Sequence, residues 1–203
     1  MIRSLTAMIA ALVLVFFASG SAQAAPSKTL DNLMAAYNGE SNARAKYLEF
    51  AKKADQEGYA GVASLFRAAA RAEEVHATRH GEVIKKMGGT PKADIKLPEI
   101  KTTAENLKAA VEGETYERDK MYPEFIAEAK ASGNRDALRA FNFAVAAETQ
   151  HAKLYGEAAA NLQAWKEAKT FYVCPECGNT VTKVTFEKCP VCFTPGKQFI
   201  KVS

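Results

Sequence analysis

Glu-x-x-His occurs twice in this 203-residue chain, as Glu73–His76 and Glu148–His151. Each copy follows a Gly-Glu pair, Gly39-Glu40 and Gly113-Glu114, with 33 residues from Glu40 to Glu73 and 34 from Glu114 to Glu148. On a helix an i, i+3 pair points to one side, so each motif offers a carboxylate able to bridge two cations and an imidazole able to cap one. A lone buried glutamate is costly, whereas glutamates and histidines converging from four helices form the donor set of a two-metal carboxylate site. Glu117, three residues after Glu114, is a further candidate; its counterpart near Glu40 is Ala43, so one metal position is expected to be richer in carboxylate. Five glutamates with two histidines suit iron or manganese better than zinc or copper. Single Glu-x-x-His matches are common on solvated helices, and Arg71, Glu74 and Arg79 read as ordinary surface charges. The duplication and the matched Gly-Glu partners carry the expectation.

The second cluster able to do chemistry is Cys174-Pro-Glu-Cys177 with Cys189-Pro-Val-Cys192, all four cysteines lying within 19 residues. Paired Cys-x-x-Cys spacing favours one tetrahedral metal site; two disulfides are the other option for an exported chain. Phe171-Tyr172-Val173 and Val181 to Phe186 read as short strands, with the cysteine pairs as turns. Residues 169–203 are too few to bury a self-sufficient core, so a metal must supply much of their folding energy.

The elements that position the first cluster are helical. Leu30, Leu33 and Tyr37, then Ala43, Tyr47, Phe50 and Ala51, recur at three and four. Glu57 to Gly61 marks a turn. A second helix over about 62–87 places Leu65, Phe66, Ala69, Ala72, Glu73 and His76 on one stripe and ends at Gly88-Gly89-Thr90-Pro91. Residues 91–101 read as a long crossover. A third helix is expected from a cap at Thr102 or Thr103 to about Ala131, and a fourth from Arg135 to Ala168. Four long helices with one long connection make a mainly α protein, a ferritin-like four-helix bundle followed by a small β/metal-knuckle domain. The halves repeat: Gly39-Glu40 matches Gly113-Glu114 at an offset of 74, and Ala72-Glu73 matches Ala147-Glu148 at 75. Two such hairpins about a pseudo-twofold axis bring matching donors face to face. Tyr47 and Tyr122, each within two turns of a candidate ligand, are placed to hydrogen-bond a ligating carboxylate or to fill the core. Pro123 removes a backbone donor inside the third helix, giving either a tolerated kink or an opening that sets Glu117. His80 reads as a surface histidine, and Glu82 and Glu157 as surface or packing residues.

The net charge of +4 is interspersed, and no basic run with interleaved aromatics points to nucleic acid. Arg3, the apolar stretch Leu5 to Ala18, the break at Gly20-Ser21 and Ala22-Gln23-Ala24 read as an export signal cut after residue 24. An uncleaved anchor is the alternative, although the strongly apolar part is short of the roughly 20 residues a span needs. The expected units are thus 1–24, a cleaved leader; 25–168, the bundle; and 169–203, the cysteine domain. The expected location is outside the cytoplasm, in the periplasm.

Gly39-Glu40-Ser-x-Ala-Arg44, Glu73-x-x-His76, Glu114-x-x-Glu117 with Met121-Tyr122-Pro123, Glu148-x-x-His151 and the Cys-x-x-Cys-Gly…Cys-Pro-x-Cys tail together resemble the rubrerythrins over nearly all of the chain after the leader. The resemblance implies a non-haem diiron peroxidase that reduces hydrogen peroxide to water in oxidative-stress protection. It implies Glu73 and Glu148 as bridges and Glu40, Glu114, Glu117, His76 and His151 as terminal ligands, with one iron exchanging Glu117 for His76 according to redox state. Cys174, Cys177, Cys189 and Cys192 would hold one iron in a rubredoxin-like domain and pass electrons to the diiron site. The resemblance also implies a head-to-tail homodimer with transfer across subunits. The leader departs from the usual pattern and makes a periplasmic carrier the expected donor. Two other readings use the same residues: a ferroxidase or iron-binding protein of the ferritin class, and a bundle with a structural zinc ribbon.

Overall fold

Side chains alternating at three and four along the chain fold into the long helices that this spacing dictates. The computed structural model describes residues 27–203, so the leader lies outside the described residues. Helix α1 (Lys28–Gln56) starts on the side chain of Ser27, which accepts from the Leu30 amide. Helix α2 (Ala60–Lys86) follows a short turn and runs back along α1. After the crossover, Thr102 and Glu105 close a reciprocal capping box on α3 (Thr103–Tyr116). Helix α4 (Tyr122–Ala131) follows, then α5 (Arg135–Ala160), which starts on the Asn134 side chain. Helices α3 and α4 pack on α5, completing the expected bundle.

Two local departures matter for the site. The third helix is not continuous: Glu117–Met121 form a π-helical turn, with the Tyr122 amide bonding to the Glu117 carbonyl. Pro123 therefore stands in the first turn of a new helix, where its missing donor is harmless. The last helix ends eight residues earlier than Ala168, at Ala160, and a 3-10 turn Leu162–Trp165 folds back. Trp165 is buried there and stacks on Phe171. The fold-back passes so close to α2 that a Cβ on Gly61 would lie 2.6 Å from the Glu167 carbonyl oxygen.

The tail is a three-stranded antiparallel sheet with β1 (Phe171–Val173) between β2 (Thr180–Val181) and β3 (Ile200–Val202). The strand expected over 181–186 is confined to its first residue, because the chain must turn there to carry the second cysteine pair; β3 was not foreseen. Among the described residues no helix is long and apolar enough to cross a membrane.

Candidate metal centres

The helices bring six of the seven bundle candidates into two overlapping groups. Glu40, Glu73, His76 and Glu148 form one, and Glu73, Glu114, Glu148 and His151 the other, with the ligand atoms of each group within 4.8 Å of one another. All six residues are buried. Glu73 and Glu148 belong to both groups, the position of bridges. His76 Nδ1 lies 2.9 Å from Glu73 Oε2 and 3.0 Å from Glu148 Oε1; His151 Nδ1 lies 2.8 Å from Glu148 Oε2 and 3.5 Å from Glu73 Oε1. Glu117 is outside both groups. It sits on the π turn, and in the first group His76 supplies the fourth donor.

The two tyrosines bond crosswise. Tyr47 of α1 donates to Glu114 Oε1 of α3 at 2.5 Å, and Tyr122 of α4 donates to Glu40 Oε1 of α1. Each phenol thus holds the carboxylate of the opposite half, not the one nearest in sequence. The repeat contained the signal, since Tyr47 and Tyr122 are 75 residues apart.

His80 corrects the sequence reading. It is fully buried, with Nε2 3.1 Å from the Tyr122 hydroxyl. One turn beyond His76, it falls on the same inward stripe, and its repeat counterpart, 75 residues on, is the equally buried Tyr155. Glu82 and Glu157 are exposed. Arg79 is not merely a surface charge: it pairs with Glu176 of the tail and donates from Nε to the Glu176 carbonyl.

Crowding these groups away from water redistributes their protons. Burial pushes the Glu73 carboxyl well above its usual range, helped by Glu148 and Glu114. Burial and Glu148 raise Glu114 to about 7. Burial, then Glu40 and Glu114, raise Glu117. Burial would raise Glu148 as well, but the His76 and His151 imidazoles hold it below the carboxylate range. Burial would lower both imidazoles, yet Glu148 and Glu73 keep His76 high, and Glu114, Glu148 and Glu73 keep His151 high.

The donor set fits two cations. Glu40 Oε2, Glu73 Oε1 and Glu114 Oε2 are buried without a hydrogen-bond partner, an arrangement that costs several kcal/mol unless a cation meets it. Two ferrous ions against five carboxylates leave a formal charge of about −1.

In the tail the four cysteines are unbridged, and their sulfur atoms lie within 4.8 Å of one another. Cys174 and Cys192 Sγ are 3.5 Å apart, and Cys177 and Cys189 Sγ 3.7 Å. A tetrahedron with metal–sulfur bonds of about 2.3 Å has edges of about 3.8 Å, so the thiolates fit one iron or zinc. The centre docks on the bundle's histidines: His76 Nε2 donates to the Cys177 carbonyl at 3.1 Å, and His151 Nε2 lies 3.0 Å from Thr180 Oγ1. Gly178 makes this approach possible, since a Cβ there would lie 2.2 Å from His76 Nε2.

The family profile described as Rubrerythrin matches residues 31–159. Nigerythrin of Nitratidesulfovibrio vulgaris is 40% identical over 176 residues, covering 86% of this chain and 87% of the relative. Rubrerythrin-2 of Clostridium acetobutylicum is 33% identical over 81% of this chain and 91% of its own length. A solved structure described as the fully reduced, all-ferrous state of nigerythrin superposes with a TM-score of 0.80 at 36% identity, covering 90% of this chain and 91% of that one.

Proposed function

Since the chain belongs to the rubrerythrin family, we propose that this diiron oxidoreductase, with its rubredoxin-like domain, is a peroxidase that reduces hydrogen peroxide to two waters with two electrons and two protons. The observation that carries the reading is the seating of the cysteine centre on the two imidazoles that face the bundle carboxylates. A ferroxidase has no use for such a contact, whereas a catalyst that must be re-reduced from outside does.

Glu40, Glu73, His76, Glu114, Glu148 and His151 would hold the pair of irons, and Glu117 would exchange with His76 at one of them. Bound there, two ferrous ions supply both electrons together, which avoids a one-electron cleavage of the peroxide bond; an iron held by Cys174, Cys177, Cys189 and Cys192 supplies electrons singly. The chain's own residues set the stage. Tyr47 and Tyr122 fix Glu114 and Glu40 from opposite halves. Glu117, on the π turn and outside both groups, is the carboxyl free to move toward the pair and to carry a proton on its raised carboxyl oxygen. The expected leader supports export to the periplasm, a periplasmic carrier as electron donor and a role in oxidative-stress protection. The family resemblance supports a head-to-tail homodimer.

Stopped-flow oxidation of the fully reduced protein tests the reading: peroxide should reoxidise the bundle much faster than dioxygen. Equal rates would favour the ferroxidase, and a colourless, zinc-filled tail would end the electron-transfer role.

A further inference from the structure

We propose that Thr180 is a positioning residue for the bundle metals, and that the cysteine knuckle fixes the tautomer of both metal-facing histidines. The proposal rests on the reading of the bundle as a two-metal site. Its physical basis is the count of protons at each contact. The Cys177 carbonyl can only accept, so His76 must carry a proton on Nε2 to bond it at 3.1 Å. A threonine hydroxyl can donate or accept, but Thr180 has one proton and donates it to the Gly178 carbonyl at 3.0 Å. Its lone pairs therefore face His151, whose Nε2 lies 3.0 Å away and must be the donor.

Both imidazoles are thus held with the proton on the knuckle side and Nδ1 toward the carboxylates. The distances agree, with Nδ1 of His76 and His151 at 2.9 and 2.8 Å from their nearest carboxylate oxygens. An imidazole that binds a metal through one nitrogen is oriented by the bond its other nitrogen makes. In this chain the orienting groups of two histidines from two different helices come from one four-residue stretch, Cys177 to Thr180. The stretch is held rigidly. The Cys174 amide donates to the Asn179 carbonyl at 3.0 Å, the Gly178 amide to the Cys174 carbonyl at 3.1 Å, and Thr180 itself is fully buried in β2. Arg79 and Arg139, from α2 and α5, both pair with Glu176 and clamp the same loop to the two helices that carry the histidines. The tail therefore does more than deliver electrons: it completes the shell that holds the bundle metals in place.

The test replaces the hydroxyl by a methyl of similar shape, Thr180→Val, and restores it with Thr180→Ser. Metal content and the rate of iron release to a chelator are measured in full-length protein, with absorbance of the cysteine centre recorded in parallel. Thr180→Val should release bundle iron roughly 10-fold faster or more with the cysteine absorbance unchanged, and Thr180→Ser should return the rate to near that of the wild type. Equal release from wild type and Thr180→Val, or equally fast release from both variants, would overturn the assignment. Should Thr180→Val lose the cysteine centre altogether, nitrogen-15 spectra of the zinc-loaded wild-type protein decide the matter: His151 should show zinc on Nδ1 and a slowly exchanging proton on Nε2. Zinc on Nε2 would overturn the proposal. A wild-type protein that takes up fewer than two metals per bundle would overturn the two-metal reading and this proposal together, whereas normal uptake with an insensitive Thr180→Val overturns this proposal alone.

Discussion

Removing the bundle metals while leaving the cysteine centre loaded should give a protein that loses stability as pH rises from 5 to 7.5, the reverse of ordinary acid denaturation. The sign follows from the groups that metal would otherwise satisfy. Glu114 is raised from 4.5 to about 7 by burial and by Glu148. Between those values the folded chain keeps a proton that the unfolded chain has released, so each step up in pH favours unfolding. At about 1.4 kcal/mol per unit, Glu114 alone costs about 3 kcal/mol across the interval. Glu73 and Glu117 are raised by burial and neighbouring carboxylates and act in the same direction. His76 and His151, also raised, hold stability that disappears as pH climbs through their folded values. Two groups do not follow. Glu148 is depressed, and its contribution is lost only below the window. His80 is lowered by burial, so it favours the folded state more as pH rises toward the ordinary histidine value.

The cysteine centre must stay loaded because its thiols would confuse the slope. Its bond from Cys177 holds the Cys174 thiol down to about 5, which makes a stripped tail gain stability with pH. The assay is thermal or urea unfolding at constant ionic strength, with cysteine-centre absorbance confirming that iron remains there. A loss of about 3 kcal/mol lowers the midpoint by roughly 6–12 °C in a chain of this size. With iron restored the slope should reverse, because binding then displaces the same protons and tightens with pH. A stripped protein whose stability is flat or rises from pH 5 to 7.5 would refute the assignment of shared protons to the buried glutamates.

Three substitutions probe the rest of the site. Replacing Cys189 by Ser should abolish donor-driven peroxide turnover yet leave peroxide oxidation of a chemically reduced bundle intact; loss of both would contradict the division of labour. Tyr47→Phe removes a bond to the Glu114 carboxylate and should change unfolding free energy by about 1.5–3 kcal/mol, with faster iron release to a chelator and no change in the cysteine spectrum. Gly178→Ala places a Cβ against His76 and strains a backbone at φ +75°, so it should destabilise the chain by about 1–3 kcal/mol and slow electron transfer from the tail to the bundle in single-turnover kinetics.

The helices and the convergence of Glu40, Glu73, His76, Glu114, Glu148 and His151 were legible because each depends on periodicity and repeat spacing, properties of the chain alone. The π turn was not. Pro123 marked a break, but whether a helix answers a proline with a kink or with an added residue is decided by neighbours, here the burial of Tyr122 against His80 and Phe141. His80 was read as a surface histidine because nothing local distinguishes a histidine one turn beyond His76 from a solvated one; the structure buries it, and beside it Arg79 pairs with Glu176 of the tail. The premature end of α5 had the same origin: an alanine-rich run carries no stop signal, and the chain leaves the helix to bury Trp165 beside Phe171. Everything concerning the seat of the tail was hidden for this reason, since no local pattern says that Cys177 and Thr180 will meet two histidines from another domain.

The pseudo-twofold repeat explains why the site exists, and its exceptions explain how it can work. Symmetry pairs Glu40 with Glu114, Glu73 with Glu148, His76 with His151 and Tyr47 with Tyr122, and a site built only from these pairs would offer two equal metal positions. The exceptions gather at one end. Glu40 is the neighbour whose charge most raises Glu117, the carboxyl with no counterpart in the other half. His80 stands behind Tyr122 and Glu40, where the opposite half has Tyr155. The cysteine pair touches the same end through the Cys177 carbonyl on His76. One metal position therefore combines a spare carboxylate, a second buried histidine and the contact with the Cys177 carbonyl, while the other, held by Glu114 and His151, keeps the regular set and meets the tail through Thr180. On the proposed function, exchange of ligands would fall at the first of these positions. A tail exchanged between two chains would preserve this arrangement, because the contact surface consists of the same residues in either case.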